Sequence, residues 1–420
     1  MKNPMLVATA AALSLVVGIA ISPVVSSDQA TAAAPDYKVD SPNGTTVNVD
    51  LVAEEAIQEI APDVNYHVWT FNGTTPGPVI RVRLGDTVHF TLTNNSAIGM
   101  QHSIDFHAAL TPWADLPDPG SDTLTGNYQP VNPGETKTFD WVARYPGVFM
   151  YHCGVPPVLQ HISNGMYGAI IVETDDLPAE REFVLVSSEY YPGAKPIDGV
   201  FEGDLDRMLA VDPEYVVFNG KVDLHKSEPL VVAPNERFRI WVMNAGPTLT
   251  NAFHVIGTLF NETHDSGNPA NTQFGLQTFN IAPGSGAMFE LQIPDPGLYP
   301  FVTHAFAYTG LGAVGLVKVD PDAPPAPSAY PAMGDPFTAG LTPAMPPTSS
   351  SGTPSGSASG MPGMSMTPSA EPTSSPSTSA ACAPAGTALK VVALNSVFDA
   401  TCLAAPAGKP FTIAFDNQDP

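Results

Sequence analysis

Basic side chains are scarce in this chain. Its 420 residues carry 16 Lys and Arg against 41 Asp and Glu, a formal net charge of −25. No basic stripe appears anywhere, which excludes a nucleic-acid binder that works by neutralising phosphates. The acidic surface suits an extracellular protein that must stay soluble, and also suits a basic redox partner. Cysteine is sparse as well, with three in all. Cys382 and Cys402 flank a short strand pattern and are able to pair in an oxidising compartment. Cys153 is left over, and an odd cysteine in an exported protein is well explained by a metal. Long apolar runs are missing too, apart from one near the N-terminus.

That one run, Met5 to Val25, follows Lys2 and precedes the small-residue stretch ATAAAP ending at Pro35. Residues 1–34 therefore read as an export signal, cleaved around Ala32–Ala34. The run approaches spanning length, so an uncleaved N-terminal anchor is the alternative. No Cys lies beside it to carry a lipid. The folded part is expected outside the cytoplasm, in the periplasm or on the extracellular face of the membrane.

Glycine and proline, in contrast, are plentiful, at 35 and 45 residues, and the apolar segments between them are short. That profile indicates an all-β protein rich in turns, and the length suits two or three domains. The chain repeats itself. Asn72-Gly73 is answered by Asn219-Gly220, and the pattern VRLGDTVHFTLTNN by VVAPNERFRIWVMNAG. Pro133-Gly134 matches Pro283-Gly284, and Pro146-Gly147 matches Pro296-Gly297, both at a spacing of 150. Repeats of this length are whole domains. Within each, runs such as Val79–Leu84, Val88–Thr93, Phe139–Ala143 and Val148–Tyr151 alternate at period two between turn signals. Each unit reads as a Greek-key sandwich, the first at about 45–175 and the second at about 180–322.

Residues 323–385 turn to Pro, Ser, Thr, Gly, Ala and Met, a linker composition. Met361, Met364 and Met366 cluster there, where soft thioethers are able to take up Cu(I). Residues 386–420 read as the opening strands of a third sandwich that stops before it closes, as expected of a truncated form.

The chemistry concentrates in two stretches of the first unit: HSIDFH, with His102, Asp105 and His107, and YHCGVPPVLQHISNGM, with His152, Cys153, His161 and Met166. A thiolate, an imidazole and a thioether on one loop, joined by a distant imidazole from His102, make a His₂Cys site with a weak axial Met. Such sites hold copper for electron transfer. Neighbours in an extended strand point to opposite faces, so His152 must face away from the Cys153 site. His107 is five residues from His102 and diverges from it in the same way. Two metal sites back to back follow, with the Cys153–His152 peptide as a short covalent path between them. In the second unit, His254 falls near the repeat equivalent of His107, and His304 near that of Cys153. That unit has no Cys, so these histidines read as one further ligand and one residue behind the ligands. His67, His89, His225 and His264 lie apart from the motifs and are expected on the surface.

Together HSIDFH, YHC with His161 and Met166, FHVIG and the THAF segment resemble the copper-containing nitrite reductases over about residues 45–320. The resemblance implies cupredoxin domains, two coppers per chain, and a homotrimer in which domain two of one subunit completes a site on its neighbour. His102, Cys153, His161 and Met166 match the type 1 copper ligands. His107, His152 and His304 match the type 2 ligands, with His304 supplied by the neighbouring subunit. Asp105 and His254 match the catalytic acid pair, and Ile256 the apolar roof of the substrate pocket. The implied activity is one-electron reduction of nitrite to nitric oxide and water, fed by a small redox protein, a cupredoxin or cytochrome c. The loop from Cys153 to His161 is one residue shorter than in familiar members.

Two other readings compete. A laccase-like oxidase shares the fold and the type 1 site, but its trinuclear cluster needs paired His-x-His motifs. This chain has 10 histidines and no such pair. A non-catalytic electron carrier needs only the type 1 ligands and leaves Asp105, His107, His254 and His304 without purpose.

Overall fold

A computed structural model describes residues 39–116, 124–326, 386–394, 397–398 and 403–418. The export segment, the three linker methionines and the Cys382–Cys402 pair lie outside the described residues. The chain divides into two compact units, 1–349 and 350–420. The described part of the first is mostly β, in four sheets.

Two sheets are built on the first repeat, one of them joined at its edge by Val200–Phe201 of the second. One runs in the order Val200–Phe201, Val64–Phe71, Thr46–Ala61, Thr87–Asn94, Thr136–Val142; the other in the order Ile80–Arg83, Tyr167–Glu173, Gly147–His152, Asp105–Phe106. Alternation in sequence becomes alternation in burial. In Thr87–Asn94 the residues Val88, Phe90, Leu92 and Asn94 point inward, while Thr87, His89, Thr91 and Thr93 are only half-buried. Val88, Phe90 and Leu92 join Val49, Leu51, Phe71, Phe106, Trp141 and Tyr151 in one core. The second repeat is built alike. Arg181–Tyr190, Arg237–Gly246 and Ser285–Gln292 lie in one sheet, with Asn251–Val255 and Gly297–Thr303 in the other, around a core of Phe238, Phe253, Phe289 and Phe301. The repeated Asn-Gly pairs have a structural cause. Asn72 and Gly73 sit at φ 58° and 76°, and Asn219 and Gly220 at 56° and 77°. A turn with two left-handed residues favours this dipeptide over any other.

A third apolar cluster fastens the two repeats to each other. Val148, Met150, Tyr167, Ala169 and Ile171 of the first pack with Val184, Val186, Trp241, Met243 and Met288 of the second. Buried ion pairs reinforce the seam: Glu182 accepts from Arg81 at 3.0 Å and from Arg239 at 2.6 Å. Strand Gly147–His152 is thus buried on both faces. Phe149 and Tyr151 turn toward the first core, and Val148 and Met150 enter the seam.

Two histidines expected at the surface are not there. His225 is 3% exposed, and its ring meets the Asn219 amide at 2.8 Å and the Glu228 carbonyl at 3.1 Å. Gly315 faces it, where a Cβ would lie 2.6 Å from that of His225, so the missing side chain makes the room. His264 is 5% exposed and bonded to the Thr272 hydroxyl at 2.9 Å. Both rings are sheltered by strands distant in sequence, which local pattern does not reveal.

In the second unit, Ala388–Leu394 pairs with Thr412–Asn417 in parallel and with Val397–Phe398 antiparallel, a three-stranded sheet.

Met150 is 2% exposed in the seam. Met150→Ala should cost about 2–5 kcal/mol of stability, read as a lower denaturant midpoint at unchanged slope.

Candidate metal centres

The strand buried on both faces decides where each ligand goes. Continuing its alternation past Tyr151, His152 turns to the seam side and Cys153 toward the first core. Cys153 meets His102 and His161 there, with all three 0% exposed. Its Sγ lies 3.3 Å from His161 Nδ1 and 3.8 Å from His102 Nδ1. Met166 joins the same core at 0% exposure. His161 does not sit on a plain loop but in the last turn of a short helix, Val158–Ser163. Backbone bonds close the segment: Met166 N–H donates to His161 O, and Cys153 N–H to Met166 O, both at 3.1 Å. His102 is held from the other side by paired backbone bonds with Val131.

Several residues that the sequence did not single out complete this pocket. The Trp69 ring stands edge-on to both imidazoles, with centroids 4.9 Å from His161 and 6.3 Å from His102. Ser103 N–H donates to Cys153 Sγ at 3.4 Å, and the Ser103 hydroxyl accepts from Gly154 N–H at 3.0 Å. Burial opposes charge on every member. It pushes the Cys153 thiol up to about 11. It lowers both His102 and His161 to about 4, the latter further through the neighbouring His102. Neutral imidazoles with a thiol, converging in a dry pocket, form a soft N, N, S donor set with a thioether nearby. That set fits copper, and resembles a type 1 site.

On the seam side, Asp105, His107 and His152 offer ligand atoms within 4.8 Å of one another. His107 Nδ1 donates to Gly284 O at 3.0 Å, and His152 Nδ1 to Cys153 O at 2.9 Å. A carbonyl only accepts, so both protons are fixed on Nδ1 and both Nε2 atoms present lone pairs. Those two Nε2 atoms face each other at 3.2 Å. Burial holds His152 below the usual imidazole range. Two imidazole nitrogens converging beside a carboxylate fit a metal. Asp105 Oδ2 stands 3.7 Å from His152 Nε2. Gly284, at φ 74°, comes from the second repeat, and a Cβ there would lie 3.1 Å from the His107 ring.

The second repeat carries no copy of these clusters. Asp105 pairs with His152, and His254 with Val302. His254 thus occupies the repeat position of Asp105, not that of His107. Ser103 N–H meets Cys153 Sγ in the first repeat, as Ala252 N–H meets Thr303 Oγ1 at 3.1 Å in the second. Thr303 therefore stands where Cys153 does, with His304 one residue beyond, and Asn251 stands where His102 does. Nothing there ligates soft metals. His254 Nδ1 donates to Gln277 O at 2.5 Å, and its ring lies 5.4 Å from that of His304. His304 is exposed beside Phe306, ring centroids 4.6 Å apart, and does not join His107 and His152 within the chain. Ile256 is 38% exposed on the same strand end.

Comparison with known proteins agrees with this geometry. A family model described as multicopper oxidase matches residues 54–176. A copper-containing nitrite reductase of Neisseria meningitidis serogroup A is 36% identical over 300 residues, covering 70% of this chain and 75% of that protein. The solved copper nitrite reductase of Nitrosomonas europaea is 38% identical with a TM-score of 0.59, covering 67% of this chain and 96% of that one. A copper-containing nitrite reductase of Thermus scotoductus is 30% identical, also at 0.59, covering 72% and 66%.

The pKa pattern sets a pH dependence for the Cys153 cluster. Between about 4, where both imidazoles lose their protons, and about 11, where the thiol would, binding Cu(II) must expel one proton, from Cys153. Affinity should rise about tenfold per pH unit across that window, measured by competition with a chelator of known pH dependence; a flat profile would contradict it.

Proposed function

The chain belongs to the copper-containing nitrite reductases, within the multicopper oxidases, and on that premise we propose that it reduces nitrite to nitric oxide and water. One observation carries the reading most: two donor clusters lie back to back on adjacent residues, His152 and Cys153, with the His107 and His152 lone pairs 3.2 Å apart. An electron carrier needs the first cluster alone.

Copper, when bound, would supply one-electron chemistry at His102, Cys153, His161 and Met166, and an electrophilic open position for nitrite at His107, His152 and a third imidazole. The His152–Cys153 peptide gives the electron a covalent route between the clusters. Reduction of one nitrite consumes one electron and two protons, and yields nitric oxide and water. Asp105, beside His152 Nε2, donates a proton to the nitrite oxygen that leaves. His254, which lies beside His304 and so comes from the same neighbouring subunit, delivers the second; its Nδ1 is tied to Gln277 O, which orients the ring with Nε2 outward. Ile256 lies on the same strand end and roofs the pocket, excluding water from the reacting oxygen.

The third imidazole is His304 of a neighbouring subunit in a homotrimer. Support comes from its exposure beside Phe306, 55% exposed, and from Leu110 and Trp113, 64% and 60% exposed just past His107. Apolar groups so placed mark faces that bury on association. Two tandem Greek-key cupredoxin sandwiches, 45–175 and 180–322, form each subunit. The enzyme works outside the cytoplasm and draws its electron from a small redox protein.

Asp105→Asn should retain both coppers and lose about 10²–10⁴-fold in turnover, followed as nitric oxide release from nitrite with a reduced donor. Turnover equal to that of the unsubstituted protein would remove Asp105 from its acid role.

A further inference from the structure

The repeat sets one acidic residue in the same place twice. Ala53 pairs with Asn94 in the first repeat and Ser187 with Asn244 in the second, so Glu55 and Glu189 lie two residues further along equivalent strands. Each carboxylate clasps the segment that follows its Asn. Glu189 accepts from Thr248 N–H at 3.0 Å and Leu249 N–H at 2.6 Å, and from the Tyr191 hydroxyl. Glu55 accepts from Ala97 N–H at 2.8 Å and from the Ser96 hydroxyl at 2.5 Å, whose oxygen accepts in turn from Met100 N–H.

The two positions differ in what lies behind the clasp. In the second repeat it is Asn251, which stands at the position of His102 and cannot take its place as a ligand. In the first it is His102, whose Nε2 is buried without a hydrogen-bond partner and lies 3.9 Å from Glu55 Oε1. With His102 Nδ1 turned to the Cys153 thiol, the ring proton belongs on Nε2, directed at that carboxylate. His161 Nε2 is also buried and without a hydrogen-bond partner among the described residues. The Glu55 side chain is only 6% exposed, so solvent screens its charge weakly.

We propose that Glu55 sets the reduction potential of the His102–Cys153–His161 copper by placing a fixed negative charge behind the His102 imidazole; this rests on the copper reading above. A negative charge favours the more highly charged oxidised metal, so Glu55 holds the potential down. It is a positioning residue, acting on the metal through His102, and Ser96 moderates it by donating to the oxygen nearest the ring.

The test is redox titration of the copper-loaded protein, following the thiolate–copper absorption band. Glu55→Gln keeps a carbonyl for Ala97 N–H and removes the charge. It should raise the potential by a tenfold change in the one-electron equilibrium, about 59 mV. Ser96→Ala should move it the opposite way, because the oxygen facing His102 loses its donor. A merely structural clasp would move both variants in one direction. Glu189→Gln, the same substitution at the repeat position that has Asn251 in place of His102, should leave the potential unmoved. An unchanged potential in Glu55→Gln, or shifts of the same sign in the two variants, would overturn the proposal. Should Glu55→Gln fail to take up copper, the sign found in Ser96→Ala decides alone. Absence of the thiolate band in the unsubstituted protein would overturn the copper reading itself.

Discussion

Everything distinctive about this molecule depends on one strand being buried on both faces. Gly147–His152 sends Phe149 and Tyr151 toward the core of the first repeat, and Val148 and Met150 into the seam with the second. A strand with one wet face would leave its outward residues in solvent. Here the outward face is as enclosed as the inward one, and the chain leaves the strand with a ligand committed to each side. Cys153 closes a dry pocket with His102 and His161, while His152 meets His107 at the seam. The back-to-back arrangement is therefore a consequence of duplication: without the second repeat packed behind it, His152 would be a surface histidine.

The second repeat contributes structure where the first contributes the His102 and Cys153 ligands. Asn251 and Thr303 stand where His102 and Cys153 do, and the Ala252–Thr303 bond reproduces the Ser103–Cys153 bond in oxygen chemistry. Gly284 supplies the carbonyl that fixes the His107 tautomer, at a turn whose counterpart in the first repeat, Gly134, touches no ligand. One duplicated frame thus holds the thiol cluster in one half and supplies a backbone clamp for His107 from the other.

Much of this was legible in the sequence. Period-two alternation and the Asn-Gly and Pro-Gly markers reveal the repeat because they encode burial and left-handed turn geometry, both local properties. The grouping of His102, Cys153 and His161 follows from the donor types and their spacing, and the divergence of His152 from Cys153 from strand alternation. What alternation does not carry is contact across the sheets. Trp69, Gly284 and Glu55 approach the ligands from strands and turns far away in sequence, and Ser103 reaches Cys153 from 50 residues before it. For the same reason His225 and His264 read as surface residues. Their shelter comes from partners such as Gly315 and Thr272, and from strands packed over them. The repeat offset brought His254 and His304 near the equivalents of His107 and Cys153, and the register places them at the positions of Asp105 and of the residue after Cys153.

The central claim is that two different coppers sit on adjacent residues of one strand end. Electron paramagnetic resonance of the fully copper-loaded, oxidised protein, with copper counted per chain, tests it most directly. Two coppers in equal amounts are predicted: one with the narrow hyperfine splitting of a thiolate-bound site, one with the wide splitting of an imidazole site. A single copper with only the narrow splitting would contradict the account and leave His107 and His152 facing each other for some other reason.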